Sequence, residues 1–230
     1  MRPRPIVAID GPAGAGKSTV ARRLADRLGF TLVDTGALYR AVALAARRAG
    51  VGWDDEANVV AVARRLEATR SLVLVPDAEK GVRVMLEGAD VSDAIRTPDM
   101  GMGASRVSAI AGVRAALLEL QRQAGEKGGV VLEGRDIGTV VFPDAEVKFF
   151  LTASPEVRAR RRYDELILRG QRVDFAATLA EVKARDENDT NRPIAPLRRA
   201  DDAVLVDSSD RAVDDIVAEM ARRVSAPPRA

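Results

Sequence analysis

The stretch "IDGPAGAGKSTVARRLADRLG", Ile9 to Gly29, joins the end of an apolar run to an arginine-studded segment through a glycine-rich turn closing in Lys-Ser-Thr. Ile6 to Asp10 reads as a short buried strand, and Val20, Leu24 and Leu28 follow at helical spacing until Gly29 stops the helix. Between them, Gly11 to Ser18 matches the pattern GxxxxGK[ST] in full, in the strand, turn and helix context that the pattern requires. The turn Gly11-Pro12-Ala13-Gly14-Ala15-Gly16 would curl backbone amides into a concave anion site, backed by the positive end of the helix. Lys17 would reach the β and γ phosphates of a nucleotide as a point charge, and the Ser18 hydroxyl would help to hold Mg²⁺. The alternative is a plain glycine turn capped by Ser18, with Lys17 in water.

Working outward, Phe30 to Asp34 reads as a second strand; Leu38, Val42, Ala45 and Ala49 mark a helix ended by Gly50, and another helix is expected from about Asp55 to Ala68. This alternation predicts βαβ units on a parallel sheet, an α/β fold. From about Arg70 to Thr97 the rhythm changes. Leu72 to Val75, Val82 to Leu86 and a short piece around Val91 are split by Asp-Ala-Glu-Lys-Gly and Gly-Ala-Asp turns, which predicts a small antiparallel insert. Val113 to about Gly125 returns to helical spacing, and Gly129 to Glu133 and Val147 to Thr152 are further strands. Ser154 and Pro155 open a helix that carries Arg158, Arg160, Arg161 and Arg162 to near Gly170. Asp174 caps another, running toward Thr190 and stopped at Asn-Arg-Pro. Ala203 to Asp207 is a last strand; Ile216, Met220 and Val224 line a last helix, and the Ala-Pro-Pro-Arg-Ala tail is expected to fray.

Composition narrows the chemistry. A chain of 230 residues suits one α/β domain. With 47% apolar and 30% charged residues, no stretch approaches the roughly 20 apolar residues of a membrane span. The basic Met-Arg-Pro-Arg-Pro start runs into Asp10 and glycines before a signal-peptide core can form, so we expect a cytoplasmic protein with no membrane partner. Without cysteine there is no disulfide, thiolate nucleophile or zinc-thiolate site. The absence of histidine removes Ser-His-Asp triads, imidazole bases and imidazole metal ligands, leaving electrostatics as the main tool. The net charge is only +2, and five Phe, two Tyr and one Trp leave little to stack bases, so no nucleic-acid partner is expected.

A phosphate cradle does not say who receives the phosphoryl group, so other anion sites matter. "DTGALYR" follows the second strand and places Thr35, Tyr39 and Arg40 at the carboxyl edge of the sheet; a core Tyr39 and a surface Arg40 are the alternative. "EGRDIGTVVFPDA" follows the third strand, with Glu133 at its end, Gly134 at the turn and Arg135 and Asp136 beyond it; a structural Arg-Asp pair would look the same. Arg185, Asp189 and Arg192 fall at i, i+4 and i+7, which predicts one helix face: either a solvated ion-pair stripe or a site. Ser105 and Arg114 carry no local signature. The arginines at 158, 160, 161 and 162 suggest a lid that closes over phosphates, although some must face water.

Taken together, the phosphate cradle, "DTGALYR", the β insert, "GRDIGTVVFPDA", "RARRR", "RDENDTNR" with "APL", and "DDAVLVDSS" resemble the bacterial cytidylate kinases over nearly the whole chain. These belong to the P-loop nucleoside monophosphate kinases. The resemblance implies a single domain with a five-stranded parallel sheet flanked by helices: core about 1–34, 104–153 and 200–225, acceptor arm with its β insert about 35–103, and a short arginine-rich lid about 155–195. It implies transfer of the ATP γ-phosphoryl group to CMP or dCMP with Mg²⁺, by a monomer. It implies ATP on Gly11 to Thr19, Thr19 included, with Arg158 and Arg162. Ser105, Arg114 and Asp136 would meet the cytosine, Arg40, Arg135 and Arg192 the acceptor phosphate, and Arg185 and Asp189 the sugar, beside Thr35 and Tyr39. Lys17, Arg135, Arg162 and Arg192 would be catalytic. Glu133 stands where related kinases often carry Asp, so it holds Mg²⁺ through water or not at all. Thr35 stands where some members have Ser, which keeps the hydroxyl. A kinase for UMP, AMP or shikimate is the nearest alternative; a nucleotide switch or DNA-associated ATPase is a more distant one.

Overall fold

The computed structural model describes residues 2–77 and 81–225. Part of the turn expected at Asp-Ala-Glu-Lys-Gly, and the tail expected to fray, lie outside the described residues. Strand β1 (Ile6–Asp10) is buried along its whole length, because its continuous apolar run needs cover on both faces. Strands β2 (Thr31–Asp34), β6 (Val130–Gly134), β7 (Val147–Thr152) and β8 (Val204–Asp207) join it in a parallel sheet of order β2-β6-β1-β7-β8. The register sets Asp34 beside Glu133 and Asp10 beside Gly134, so three strand ends deliver carboxylates to one edge. Ligands gather at that carboxyl edge in open α/β sheets.

Helices α1 (Lys17–Leu28) and α8 (Val213–Ser225) cover one face through Val20, Leu24, Ile216 and Met220, all buried against Val7, Ile9 and Phe149. On the other face Ile6, Ala8 and Leu132 meet Ile137, Val141 and Phe142 from the segment after β6. A third core runs from Ala37 to Leu117 and holds the acceptor side together. It is built by α2 (Thr35–Arg48), α3 (Glu56–Ala68), α4 (Pro98–Val107) and α5 (Ala111–Gly125) with the insert strands β3 (Leu72–Asp77), β4 (Gly81–Leu86) and β5 (Ala89–Asp90), which pair antiparallel in the order β3-β4-β5. The last two helices, α6 (Pro155–Leu168) and α7 (Phe175–Asn191), start at the expected caps: Ser154 Oγ accepts from Val157 N at 3.2 Å and Asp174 from Ala177 N at 2.8 Å.

Three features differ from the sequence reading. α4 was not expected, since Met-Gly-Met-Gly disfavours a helix. It forms because Thr97 caps it, Pro98 sits in its first turn, and Met100, Ala104 and Val107 bury one face. Ile137–Val141 forms a single turn of π-helix rather than a plain loop. Arg192 does not continue the α7 face: it is the C-cap, with an extended backbone that turns its side chain back into the protein.

Candidate functional site

The cradle begins where β1 stops. Gly11 has φ 150, and a Cβ there would lie 1.9 Å from the Leu151 carbonyl oxygen of β7, so only glycine lets the turn leave the sheet here. Gly11, Pro12 and Ala15 are buried, Ala13 and Gly16 are half-buried, and Gly14, Ser18 and Thr19 face solvent, which leaves one open side for an anion. Lys17 curls back over the turn, its Nζ donating to the Pro12 carbonyl at 2.7 Å. Burial, and next to it the Arg135 charge, hold the Lys17 ammonium well below the ordinary lysine range, against the pull of Glu133 and Asp10. A phosphate dianion at this point would restore its charge.

Glu133 closes the other side. Burial and the neighbouring Asp34 push its carboxyl up to about 7, while Lys17 and a hydrogen bond with Ser18 oppose them. Thr35 Oγ1 donates to the Glu133 carbonyl at 2.8 Å and fixes the start of α2 to this strand end. A carboxylate so reluctant to ionise, bonded to a hydroxyl and beside a second carboxylate, is an oxygen set suited to a hard dication. Among the described residues no three carboxylates gather into a complete cage. Mg²⁺ takes one or two carboxylates and fills its shell with water and phosphate oxygens, and Glu133 with Ser18 would offer such a partial set.

Opposite the cradle lies a cluster of guanidinium groups. Arg135 donates from Nε to Asp189 at 2.9 Å and from Nη1 to the Gly134 carbonyl at 3.1 Å. Although burial raises it, Asp189 stays below its usual range because Arg135 and Arg185 surround it. Burial, then the Arg135 charge, push Arg185 down to about 10; its Nε is buried without a hydrogen-bond partner. Arg40 contributes to that crowding and reaches Asp34 at 3.3 Å. Asp136 is buried between Arg114, with which it forms a close ion pair, and Arg192 at 3.6 Å. Arg192 Nη2 also has no hydrogen-bond partner, while its Nε is held by the Ala195 carbonyl at 2.6 Å. Arg114 lies over the Tyr39 ring at 5.4 Å and donates to the Ser108 carbonyl at 3.2 Å, just beyond Ser105 on α4. Arg185 Nε and Arg192 Nη2 are thus buried donors without hydrogen-bond partners, groups that an anion would satisfy.

The lid arginines divide their tasks. Arg158 is buried and bridges three segments: Nε to the Ala153 carbonyl at 2.9 Å, Nη1 to the Ala13 carbonyl of the cradle at 3.2 Å, and a two-pronged pair to Asp186 of α7 at 2.8 and 2.6 Å. Arg161 holds the far end of the sheet, donating to the Ser208 carbonyl at 2.6 Å and hydroxyl at 3.1 Å; that hydroxyl donates onward to the Ala15 carbonyl at 2.9 Å. Arg160 turns away to lie over Phe175 at 4.3 Å. Arg162 is paired with Glu165 at 2.9 Å and stands near Arg185.

The cytidylate kinase family model matches residues 7–226. The chain belongs to the cytidylate kinase family. Members are phosphotransferases. A curated cytidylate kinase from Syntrophotalea carbinolica is 54% identical over 96% of this chain and 92% of its own length. One from Pelotomaculum thermopropionicum is 52% identical over 98% of both, and one from Pseudomonas aeruginosa 50% over 95% and 94%. A solved structure of an uncharacterised protein from Eubacterium ventriosum superposes with a TM-score of 0.55 at 12% identity, over 97% of this chain and 100% of that one, a likeness of fold alone.

The structure brings most of the residues singled out in the sequence together beyond the strand ends of the parallel sheet. Lys17, Ser18 and Glu133 come together, as do Arg40, Arg135, Arg185 and Asp189, and as do Tyr39, Arg114, Asp136 and Arg192. Ser105 is joined to Arg114 only through the end of α4. Sequence reasoning missed Asp186, Ser208, Asp34 and Asp10 as partners. Asp34 and Asp10 were legible as acidic ends of apolar strands that point at a phosphate turn; Asp186 and Ser208 carry no such signal. Among the described residues, no helix is long and apolar enough to cross a membrane.

Proposed function

We propose that this chain transfers the γ-phosphoryl group of ATP to the phosphate of CMP or dCMP, giving ADP and CDP or dCDP. The observation that carries the proposal is the buried Arg114–Asp136–Arg192 group, set beside Arg135 and Arg185 and across from the Lys17 turn. A carboxylate held between two guanidiniums is a polar reader of a base edge, and free guanidinium donors next to it suit the phosphate of the same nucleotide. We assign Gly11 to Thr19, Arg158 and Arg162 to ATP, and Ser105, Arg114 and Asp136 to cytosine. Arg40, Arg135 and Arg192 take the acceptor phosphate, Arg185 and Asp189 the sugar, with Thr35 and Tyr39 lining the pocket.

An acceptor phosphate has a second pKa near 6, so it is largely dianionic at neutral pH and its oxygen attacks without losing a proton to the protein. The chain, which has no histidine, needs no general base. In-line attack forms the new P–O bond as the bond to the ADP oxygen breaks. Lys17, Arg135, Arg162 and Arg192 would gather and screen the two anions. Bound with ATP, Mg²⁺ would neutralise charge on the β and γ phosphates, and Ser18 and Glu133 are the residues that would hold it, Glu133 through water. The arm (about 35–103) and lid (about 155–195) would close over both substrates and keep water from the transferring group. We take the working protein to be a cytoplasmic monomer without nucleic-acid or membrane partners.

ADP release coupled to a reporter, measured across CMP, dCMP, UMP, AMP and shikimate, tests the proposal. CMP or dCMP should give the highest kcat/KM. Faster turnover on another acceptor, or ADP release that needs none, would replace the reading with another kinase or an ATPase.

A further inference from the structure

Asp10 belongs neither to the cradle nor to the acceptor cluster, yet it is a buried acid between them. Its Oδ1 accepts the Ile137 amide at 2.8 Å and its Oδ2 the Gly138 amide at 2.7 Å. These amides open the π-helical turn Ile137–Val141, and such groups at a helix start have no partner within the helix. The residues just before that turn are Arg135 and Asp136. The carboxylate is packed closely there: a Cβ on Gly138 would stand 3.4 Å from Asp10 Oδ2, an ordinary contact, and 3.1 Å from Lys148 Cδ.

We propose that Asp10 is a positioning residue for acceptor-base selection: by holding the Ile137 and Gly138 amides, it fixes the turn that presents Asp136 to the base. The inference rests on the reading of Asp136 given above. An asparagine cannot substitute, because it offers one oxygen to two amide donors and turns an NH₂ toward the other. Burial pushes the Asp10 carboxyl up to about 6, against the two amide bonds, with Asp136 adding to the push and Lys17 resisting it. A strand end held only for packing would be better served by an apolar residue.

The test is steady-state kinetics of Asp10→Asn and Asp10→Glu with CMP, UMP and ATP. In Asp10→Asn the ratio of kcat/KM for CMP over UMP should fall about tenfold, the loss expected from one charge-assisted hydrogen bond. The KM for ATP should stay within about twofold. Taking a ratio cancels the titration of the acceptor phosphates, which is common to both nucleotides. Asp10→Glu, which keeps the charge but pushes the carboxylate one methylene into the turn, should shift the ratio in the same direction; it decides the matter alone if Asp10→Asn does not fold. An unchanged ratio in every folded variant, or equal losses on both substrates, would overturn the proposal. Wild-type turnover on CMP tests the reaction itself. Should another acceptor be preferred, the split between that acceptor's KM and the KM for ATP decides the role of Asp10.

Discussion

At the scale of single residues, the proposed site would surround anions with donors that have been taken out of water. Lys17→Met should lower kcat on the order of a hundredfold or more, the usual consequence of removing one preorganised charge, with circular dichroism unchanged. Arg192→Lys keeps the charge and loses the planar fork; kcat/KM for the acceptor should fall about ten- to a hundredfold, since charge-assisted bonds contribute about 1.5–3 kcal/mol each. Asp136→Asn tests base reading by a different route. Cytosine presents an amino donor where uracil presents a carbonyl acceptor. An amide at position 136 can serve either, so the preference for CMP over UMP should fall at least about tenfold in competition assays. Lys17 and Asp136 could be read from the chain, because each follows a strand end in an α/β pattern, whereas Arg192 closes helix α7. What could not be read was their pairing. Arg135 with Asp189 spans 54 positions and Arg114 with Asp136 spans 22, and nothing local announces either.

At the scale of elements, strands and caps were legible because burial and capping leave local marks: period, Ser154-Pro155, Asp174. Helix α4 was not, because one of its two central glycines, Gly103, serves a neighbour rather than the helix. A Cβ on Gly103 would lie 2.7 Å from the Trp53 ring and 2.9 Å from Ala43 Cβ. Gly103→Ala should therefore destabilise: overpacking costs about 1–3 kcal/mol, which outweighs the roughly 1 kcal/mol gained in helix propensity. Urea denaturation would show a lower midpoint. The lid makes a second case. Arg158 ties α6 to α7 and to the cradle, with its side chain 4% exposed and that of Asp186 24%. Asp186→Ala leaves that guanidinium buried with only its two carbonyl partners and should cost about 1–3 kcal/mol. A looser lid should also raise ADP release without acceptor, which the same coupled assay reads.

At the scale of the whole molecule, two carboxyls bind protons more tightly in the fold than in an open chain. Asp10 is raised from 3.8 to about 6 and Glu133 from 4.5 to about 7. Between the ordinary and the raised values the native state carries more protons than the unfolded one, so stability falls as pH rises across that window. The contribution is fully present below about pH 4 and gone above about 7, a difference on the order of a few kcal/mol. Lys17, held below the ordinary lysine range, contributes in the opposite sense, so the test is a difference: without Mg²⁺ or nucleotide, Glu133→Gln should raise the melting temperature relative to the wild type more at pH 8 than at pH 5. Adding Mg²⁺ and ATP at pH 8 should recover stability in the wild type and recover less in the variant. Asp189, Glu146 and Asp144 are shifted the other way, below the usual carboxylate range, so their titration lies under this window.

The guanidinium cluster has a further consequence for the proposed reaction. When a phosphoryl group moves between two nucleotides, the total negative charge is the same before and after, but it shifts from the side of Lys17 toward that of Arg40, Arg135, Arg185 and Arg192. Because cations wait on both sides, neither direction of transfer leaves charge uncovered. The site is competent in reverse as well, and supply and demand for the two diphosphates, rather than anything in the fold, set which way the traffic runs.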